Sequence, residues 1–412
     1  MKNILLLLSL LFLSYQSAHS QWVQQPTGTT NAIRDVEFIN QFTGWACGDN
    51  KIYKTTNGGN NWFTQTHPSN NLIQGIWPVD SMVVYASGRF NTILKTTDGG
   101  ENWIALRNGS PPDRPSFEAP FFLNRDTGWI CGSLIVFRTT NGGQTFDSIY
   151  NPSDQHDIYF RNAMDGVSCG DAASFYKTTN SGFNWTQIQV VSGPGQPNFW
   201  RQSFINDTTG WLIGFSGGVY KTTDFGYNWD SIGNVMSLTN DIYTVEFADD
   251  STGWAGGENG VIYKSTNGGK NWFQQVTTFQ FGNGFIRSIY AYNDSLVWAV
   301  GNLGKILHTT NGGVSSILQS GNEIPDDFIL EQNYPNPFNN STNIKFSIRE
   351  KGLIKLEVFD LLGRRMDFIG YGVRDPGSYT INYNADKLSS GVYFYKLYSN
   401  ERAEIRKFVL LK

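Results

Sequence analysis

A nine-residue phrase, KTTNGGNNW at Lys54 to Trp62, constrains the fold of this 412-residue chain more than any other feature, because it recurs six more times. The further copies are KTTDGGENW from Lys95, RTTNGGQTF from Arg138, KTTNSGFNW from Lys177, KTTDFGYNW from Lys221, KSTNGGKNW from Lys264 and HTTNGGVSS from His308, at spacings of 41, 43, 39, 44, 43 and 44 residues. A period in the low forties with four short β-runs per unit is the signature of propeller blades. A second marker precedes each hairpin: TGWACG at Thr43, TGWICG at Thr127, TGWLIG at Thr209 and TGWAGG at Thr252, with looser versions at Val83 and Leu296. Before it comes a strand such as IRDVEF (Ile33 to Phe38) or IYTVEF (Ile242 to Phe247). One unit therefore reads as an inner strand, a Trp-bearing second strand, a third strand, an Asn-Gly-Gly hairpin and an outer strand. Asn57 or Asp98 can bond its own turn amides, while Gly59 and Gly100 supply positive φ. With 44 Gly, 13 Trp, 19 Tyr and 29 Phe, the composition is that of an all-β protein.

The ends of the array do not match. The seventh unit carries NGGVSSILQ, with Ser316 where the others place an aromatic, whereas QWVQQ (Gln21 to Gln25) reads like the outer strand NWFQQ of the sixth unit. An open ring would leave two sheet edges and two apolar faces exposed, so the N-terminal strand is expected to complete the last blade. In the alternative, VSSILQ is itself the outer strand and Trp22 caps the disc. Upstream, Lys2, an apolar run from Ile4 to Leu13 and the small residues Ala18 and Ser20 form a signal peptide over residues 1–20. Its apolar run is too short to span a bilayer comfortably. Cys47, Cys131 and Cys169 occupy one equivalent repeat position. They read as small buried hydrophobes, with a Cys131–Cys169 pair as the alternative.

The hairpin phrase resembles the Asp-box, S/T-x-D/N-x-G-x-x-W/F. Its positions here are Asn57, Gly59 and Trp62; Asp98, Gly100 and Trp103; Asn141 and Gly143; Asn180, Gly182 and Trp185; Asp224, Gly226 and Trp229; and Asn267, Gly269 and Trp272. The whole unit is similar to the propellers of photosystem II assembly factors, sortilin-type receptors, sialidases and secreted glycoside hydrolases. The resemblance implies a seven-bladed β-propeller over residues 21–320. In those families the Asp-box is a folding device distant from any reaction centre.

After a polar linker, residues 321–328, the rhythm changes to strands of period two: TNIKFSI, IKLEVFD, SYTINY, GVYFYKLYS and EIRKFVLLK. They predict a small immunoglobulin-like β-sandwich over residues 329–412. That segment resembles the type A C-terminal sorting domain of the type IX secretion system of Bacteroidota. Matching elements are NYPNPFN, with Pro335, Asn336, Pro337, Phe338 and Asn339; VFDLLGR; LSSGVYFYKL, with Gly391, Tyr393 and Lys396; and the terminal KFVLLK. The resemblance implies passage to the periplasm, recognition by the type IX machinery at the outer membrane, export, and proteolytic removal of the domain.

Charge and motifs narrow the remaining function. Residues 1–328 carry 18 Lys/Arg against 26 Asp/Glu with no basic cluster, which argues against a nucleic-acid partner. Neither a cofactor fingerprint nor a metal-ligand spacing occurs, so no cofactor and no metal are expected. No complete catalytic set is legible, and the Arg-Ile-Pro start of sialidases is absent. Arginines with nearby Asp35, Glu37, Asp157 and Glu246 keep a glycoside hydrolase open as the alternative. The main expectation is a non-catalytic recognition module for an extracellular glycan or protein. Its candidate ligand-binding residues are the dissimilar side chains at equivalent, axis-facing positions: Arg34, Asp35, His156, Asp157, Trp200, Arg201 and Arg287. The competing reading is a merely hydrated tunnel in which these charges satisfy one another.

Overall fold

The computed structural model describes residues 22–191, 197–214, 216–235, 241–275, 284–313, 317–321, 325, 327–339, 341–374, 376–385, 388–399 and 402–412. The expected signal peptide lies outside them, and the expected linker is described only in part.

In the first blade Asp35–Phe38, Gly44–Gly48, Lys51–Thr55 and Phe63–Gln65 pair antiparallel in sequence order. Five more four-stranded units repeat this order, with innermost strands Ile73–Pro78, Phe117–Phe122, Gln155–Phe160, Phe199–Phe204 and Ile242–Phe247. In the seventh blade Ile286–Ala291, Val297–Gly301 and Lys305–Thr309 are completed by Val23–Gln25, which sets Val23 opposite His308 and Gln25 opposite Ile306.

The Thr-Gly-Trp marker has a packing cause. The second strand of every blade is buried at all five positions. A Cβ on Gly44 would lie 2.5 Å from the Phe38 ring, so only glycine lets that ring fold back over the sheet. Phe38 then stacks on Trp298 of blade seven with centroids 3.9 Å apart, as Phe160 stacks on Trp129 (3.6 Å) and Phe247 on Trp211 (3.9 Å). Each such pair joins a blade to the one before it, which makes the blade interface a repeated aromatic contact.

The hairpins are held internally. Thr55 Oγ1 accepts from the Gly59 amide at 2.8 Å and donates to Asn57 Oδ1, which accepts from the Asn61 amide at 3.0 Å. Gly59 has φ +88°, a value that side-chain-bearing residues adopt at a cost. Thr309, Asn311 and Gly313 make the same turn in blade seven. There the aromatic is supplied by Trp22, which is wholly buried over Gly313 among Trp254, Ile262 and Leu307. Gln25 Oε1 accepts from Trp62 Nε1 at 3.2 Å, just as Gln65 of blade one accepts from Trp103 at 3.1 Å.

Of VSSILQ only the last three residues are described, and they do not add to blade seven. Ile317–Gly321 pairs with Gly377–Asn384 in the C-terminal sandwich, Ile317 opposite Ile381. The propeller was expected to run to residue 320; residues 317–320 instead belong to an edge strand of the sandwich, and Val23–Gln25 takes the outer edge of Lys305–Thr309. The sandwich has one sheet of Ile317–Gly321, Gly377–Asn384, Ser341–Ile348 and Ile329–Leu330. Its other sheet holds Arg365–Arg374, Gly352–Phe359, Gly391–Ser399 and Arg402–Leu410. Phe346, Ile381, Leu356, Tyr395 and Phe408 fill the space between them. Arg365–Arg374 also touches blade six, with the Arg374 guanidinium 3.2 Å from the Phe273 ring centroid. Cys47, Cys131 and Cys169 are buried free thiols, each facing an inner strand of its own blade; the alternative Cys131–Cys169 pair is not formed.

Candidate functional site

Register along the inner strands arranges the tunnel in layers. Asp35, Gly75, Ala119, Asp157, Thr244 and Ser288 face equivalent second-strand positions. The residue before each lies nearer the strand start, and the residue two further on lies nearer the strand end. In blades two to four, six and seven a register shift falls at the residue before, which lets it line the tunnel beside its neighbour, and alternation then adds the residue two further on, so three successive sets result.

The mouth, at the strand starts, is a cavity of about 50 Å³ lined by Arg34, Gln74, Glu118, His156, Trp200, Tyr243 and Arg287, one from each blade, with Arg201 as a second residue from blade five. The His156 ring stacks on Trp200 at 4.1 Å, and its Nε2 meets Asp171 Oδ1 at 2.9 Å. Trp200 lies edge-on to Tyr243 (5.7 Å), and the Arg287 guanidinium sits 5.2 Å from the Tyr243 ring and 4.9 Å from that of Phe285. Gln74 donates to Glu118 at 2.6 Å. Arg34 and Arg287, on adjacent blades, form no ion pair with any described residue, and Arg34 Nε is buried without a partner. Burial, then the Arg34 charge, pulls Arg287 below the usual guanidinium range. Two neighbouring cations without an ion-pair partner among the described residues form an anion-seeking site, with the Glu118 carboxylate of the same mouth acting against it.

Below the mouth lies a plug. Arg201 of blade five reaches across the axis to Asp35 of blade one at 2.7 Å and lies 3.7 Å from Asp157 of blade four. Both carboxylates also accept from the backbone of the next blade, Asp35 from the Ile76 amide (3.0 Å) and Asp157 from the Gln202 amide (3.1 Å). Burial raises the Asp157 carboxyl to about 6 despite the opposing Arg201 charge. Asp35, Asp157 and Arg201 were expected as ligand-binding groups. The structure commits them to one another, and of the arginines it leaves Arg34 and Arg287 unpaired at the mouth.

Beyond the plug is a chamber of about 210 Å³ that the sequence did not single out as a site. Trp77, Phe121 and Tyr159 line it from blades two to four, and Glu37, Glu246 and Tyr290 from blades one, six and seven. Burial, then the charge of Asp35, raises Glu37 well above the usual carboxylate range, and burial raises Glu246 to about 8. The signal that could have found these residues is their offset, three positions after the mouth residues Arg34, Gln74, Glu118, His156, Tyr243 and Arg287.

In the sandwich, the sorting-type residues are structural. Asn336 Oδ1 accepts from the Val409 amide at 2.9 Å, and the Phe338 amide donates to Val409 O at 3.1 Å, tying the Pro-rich segment to the last strand. Asn333 Nδ2 donates to Pro335 O at 3.1 Å, and Asn339 O accepts from the Ser341 amide. Pro337, between Asn336 and Phe338, belongs to the same tied segment. Tyr393 is buried and donates to Ser389 O, two residues before Gly391, and Lys396 covers the Tyr398 ring at 4.6 Å. Leu361 and Leu362 stand exposed at a hairpin tip fixed by Asp360.

These features define an all-β propeller protein with a C-terminal β-sandwich. Residues 332–411 match the family described as secretion system C-terminal sorting domain, and residues 234–329 match the family described as photosynthesis system II assembly factor YCF48. The propeller thus resembles the YCF48 family over part of its length, and the match of residues 332–411 to a secretion-system sorting domain implies export to the cell surface or secretion. No curated protein matches it in sequence. Among solved structures it is similar to YCF48 bound to D1 peptide, with TM-score 0.59 and 18% identity over 70% of this chain and 97% of that one. The extracellular domain of a putative one-component system from B. thetaiotaomicron matches with TM-score 0.55 and 16% identity, over 95% of this chain and 59% of that one. The GH74 enzyme of Niastella koreensis matches with TM-score 0.51 and 17% identity, over 69% and 43%. Among the described residues no helix is long and apolar enough to cross a membrane.

Proposed function

We propose that this protein is an exported recognition module that binds an anionic group of an extracellular glycan or protein at the tunnel mouth. The observation that carries the proposal is the pair of unpaired guanidinium groups, Arg34 and Arg287, beside the His156–Trp200 stack. A carboxylate or sulfate between the arginines would replace water by charge-assisted hydrogen bonds, and the half-buried Trp200 ring offers stacking to a sugar or aromatic ring. Peptide binding by a structurally similar propeller, YCF48 with its D1 peptide, keeps a protein ligand in the class. Export proceeds by signal-peptide passage to the periplasm, engagement of the type IX machinery by residues 329–412, and removal of that domain. Arrays of neutral, carboxylated and sulfated glycans and of acidic peptides, probed with the purified protein, test the reading. Binding confined to anionic probes supports it, and indifference to ligand charge rejects it.

A second reading, a glycoside hydrolase, draws on the half-buried Glu37 and Glu246 of the inner chamber, since a carboxyl held protonated near neutrality can serve as a general acid. Turnover of chromogenic glycosides that Glu246→Gln abolishes would establish it.

A further inference from the structure

The chamber on the far side of the plug has two unlike halves. Trp77, Phe121, Tyr159 and Phe204 form a continuous aromatic wall across blades two to five, with successive ring centroids 4.7, 5.3 and 5.0 Å apart. Opposite them, Glu37 and Glu246 stand on either side of Tyr290, whose hydroxyl is committed to Phe38 O at 2.7 Å. Glu37, Glu246, Trp77 and Tyr159 are all half-buried, so solvent reaches the chamber from the strand-end face. We propose that this chamber binds a small organic monocation, an alkylammonium group, held between the aromatic wall and the two glutamates.

The charges favour that occupant over others. The ionisable groups facing the chamber or packed against it are Glu37, Glu246, Asp35, Asp157, Arg201, Tyr159 and Tyr290. With Arg201 committed to Asp35 and Asp157, nothing in the lining offers an anion a free positive charge. A divalent metal wants a compact cage of oxygen or nitrogen ligands, and among the described residues no three His, Cys, Asp or Glu side chains are grouped to hold one. An alkylammonium group instead uses both halves at once: its charge answers the carboxylates, and its methyl or methylene groups lie against rings that attract cations.

The same crowding makes binding depend on pH. Burial raises the Glu246 carboxyl to about 8, and burial, then the charge of Asp35, raises that of Glu37. A bound cation restores their charge, so binding releases protons and strengthens as pH rises from 6 towards 8.

Choline and its neutral isostere 3,3-dimethylbutan-1-ol, titrated calorimetrically into the purified protein, test this. Choline is expected to bind at pH 8 with proton release, read from buffers of different ionisation enthalpy, and at least about tenfold more tightly than the isostere. Glu37→Gln and Glu246→Gln should each weaken it by about tenfold or more without changing the circular dichroism spectrum or lowering the melting temperature, and Trp77→Leu provides an independent variant. Arg34→Gln with Arg287→Gln should leave choline binding unchanged, which separates this site from the proposed anion site. Equal affinity for choline and isostere, or no binding of choline at millimolar concentration, would overturn the proposal.

Discussion

Trp22→Ala should destabilise the whole propeller, although the residue stands just behind the expected signal peptide. The side chain is wholly buried in the hydrophobic cluster between blades six and seven, and among the described residues its strand alone pairs with the outer edge of Lys305–Thr309. Truncating a buried Trp costs roughly 3–5 kcal/mol, from lost burial and the cavity left behind. For a domain this large, each kcal/mol shifts the melting temperature by about 2 °C, so the expected loss is about 6–10 °C. Val23→Ser is the control, because Val23 is 59% exposed on the same strand and should change stability by less than about 0.5 kcal/mol. Gln25→Ala should fall between them, since it strips the partner of Trp62 Nε1 and of Gly58 O. Thermal unfolding followed by circular dichroism reads all three. If Trp22→Ala melted with the wild type, the N-terminal strand would not be what closes the ring.

Other consequences are equally specific. Arg201→Met should cost about 3–5 kcal/mol in urea denaturation, because it strands two buried carboxylates, and adding Asp35→Asn should recover part of the loss. Folded-state values raised to about 6 for Asp157 and about 8 for Glu246 mean that the native state holds protons the unfolded chain releases. Stability is therefore expected to fall as pH rises from about 5 to 8, by at most about 1.4 kcal/mol per pH unit per proton, with a shallower slope in Glu246→Gln. In a host with a type IX apparatus, mass spectrometry of the extracellular protein should find residues 1–20 and the chain from about Leu330 missing. Deleting residues 329–412 should abolish export.

How far the sequence spoke depended on whether a feature was local. The hairpins could be read residue by residue, because Thr55, Asn57 and Gly59 bond within five positions of one another. The Trp22 strand was legible for a different reason: QWVQQ repeats the wording of a strand found elsewhere in the chain, and Gln25 does for Trp62 what Gln65 does for Trp103. VSSILQ was misplaced because its partner, Gly377–Asn384, is some sixty residues away and leaves no local mark. The site was half legible for the same reason. Equivalent positions named the axis-facing residues, but nothing in the sequence tells that Arg201 meets Asp35 across 166 positions while Arg34 and Arg287 stay unpaired. Glu37 and Glu246 looked like incidental acids until the strand register set them opposite an aromatic wall.

The most direct test of the account is the affinity of the best anionic array ligand for the wild-type protein and for the double variant Arg34→Gln/Arg287→Gln, measured by titration calorimetry in one buffer at one salt concentration. Loss of two charge-assisted contacts predicts a fall of about a hundredfold or more, with folding intact because neither side chain pairs with another charged group. An unchanged affinity would place recognition elsewhere on the propeller and contradict the account.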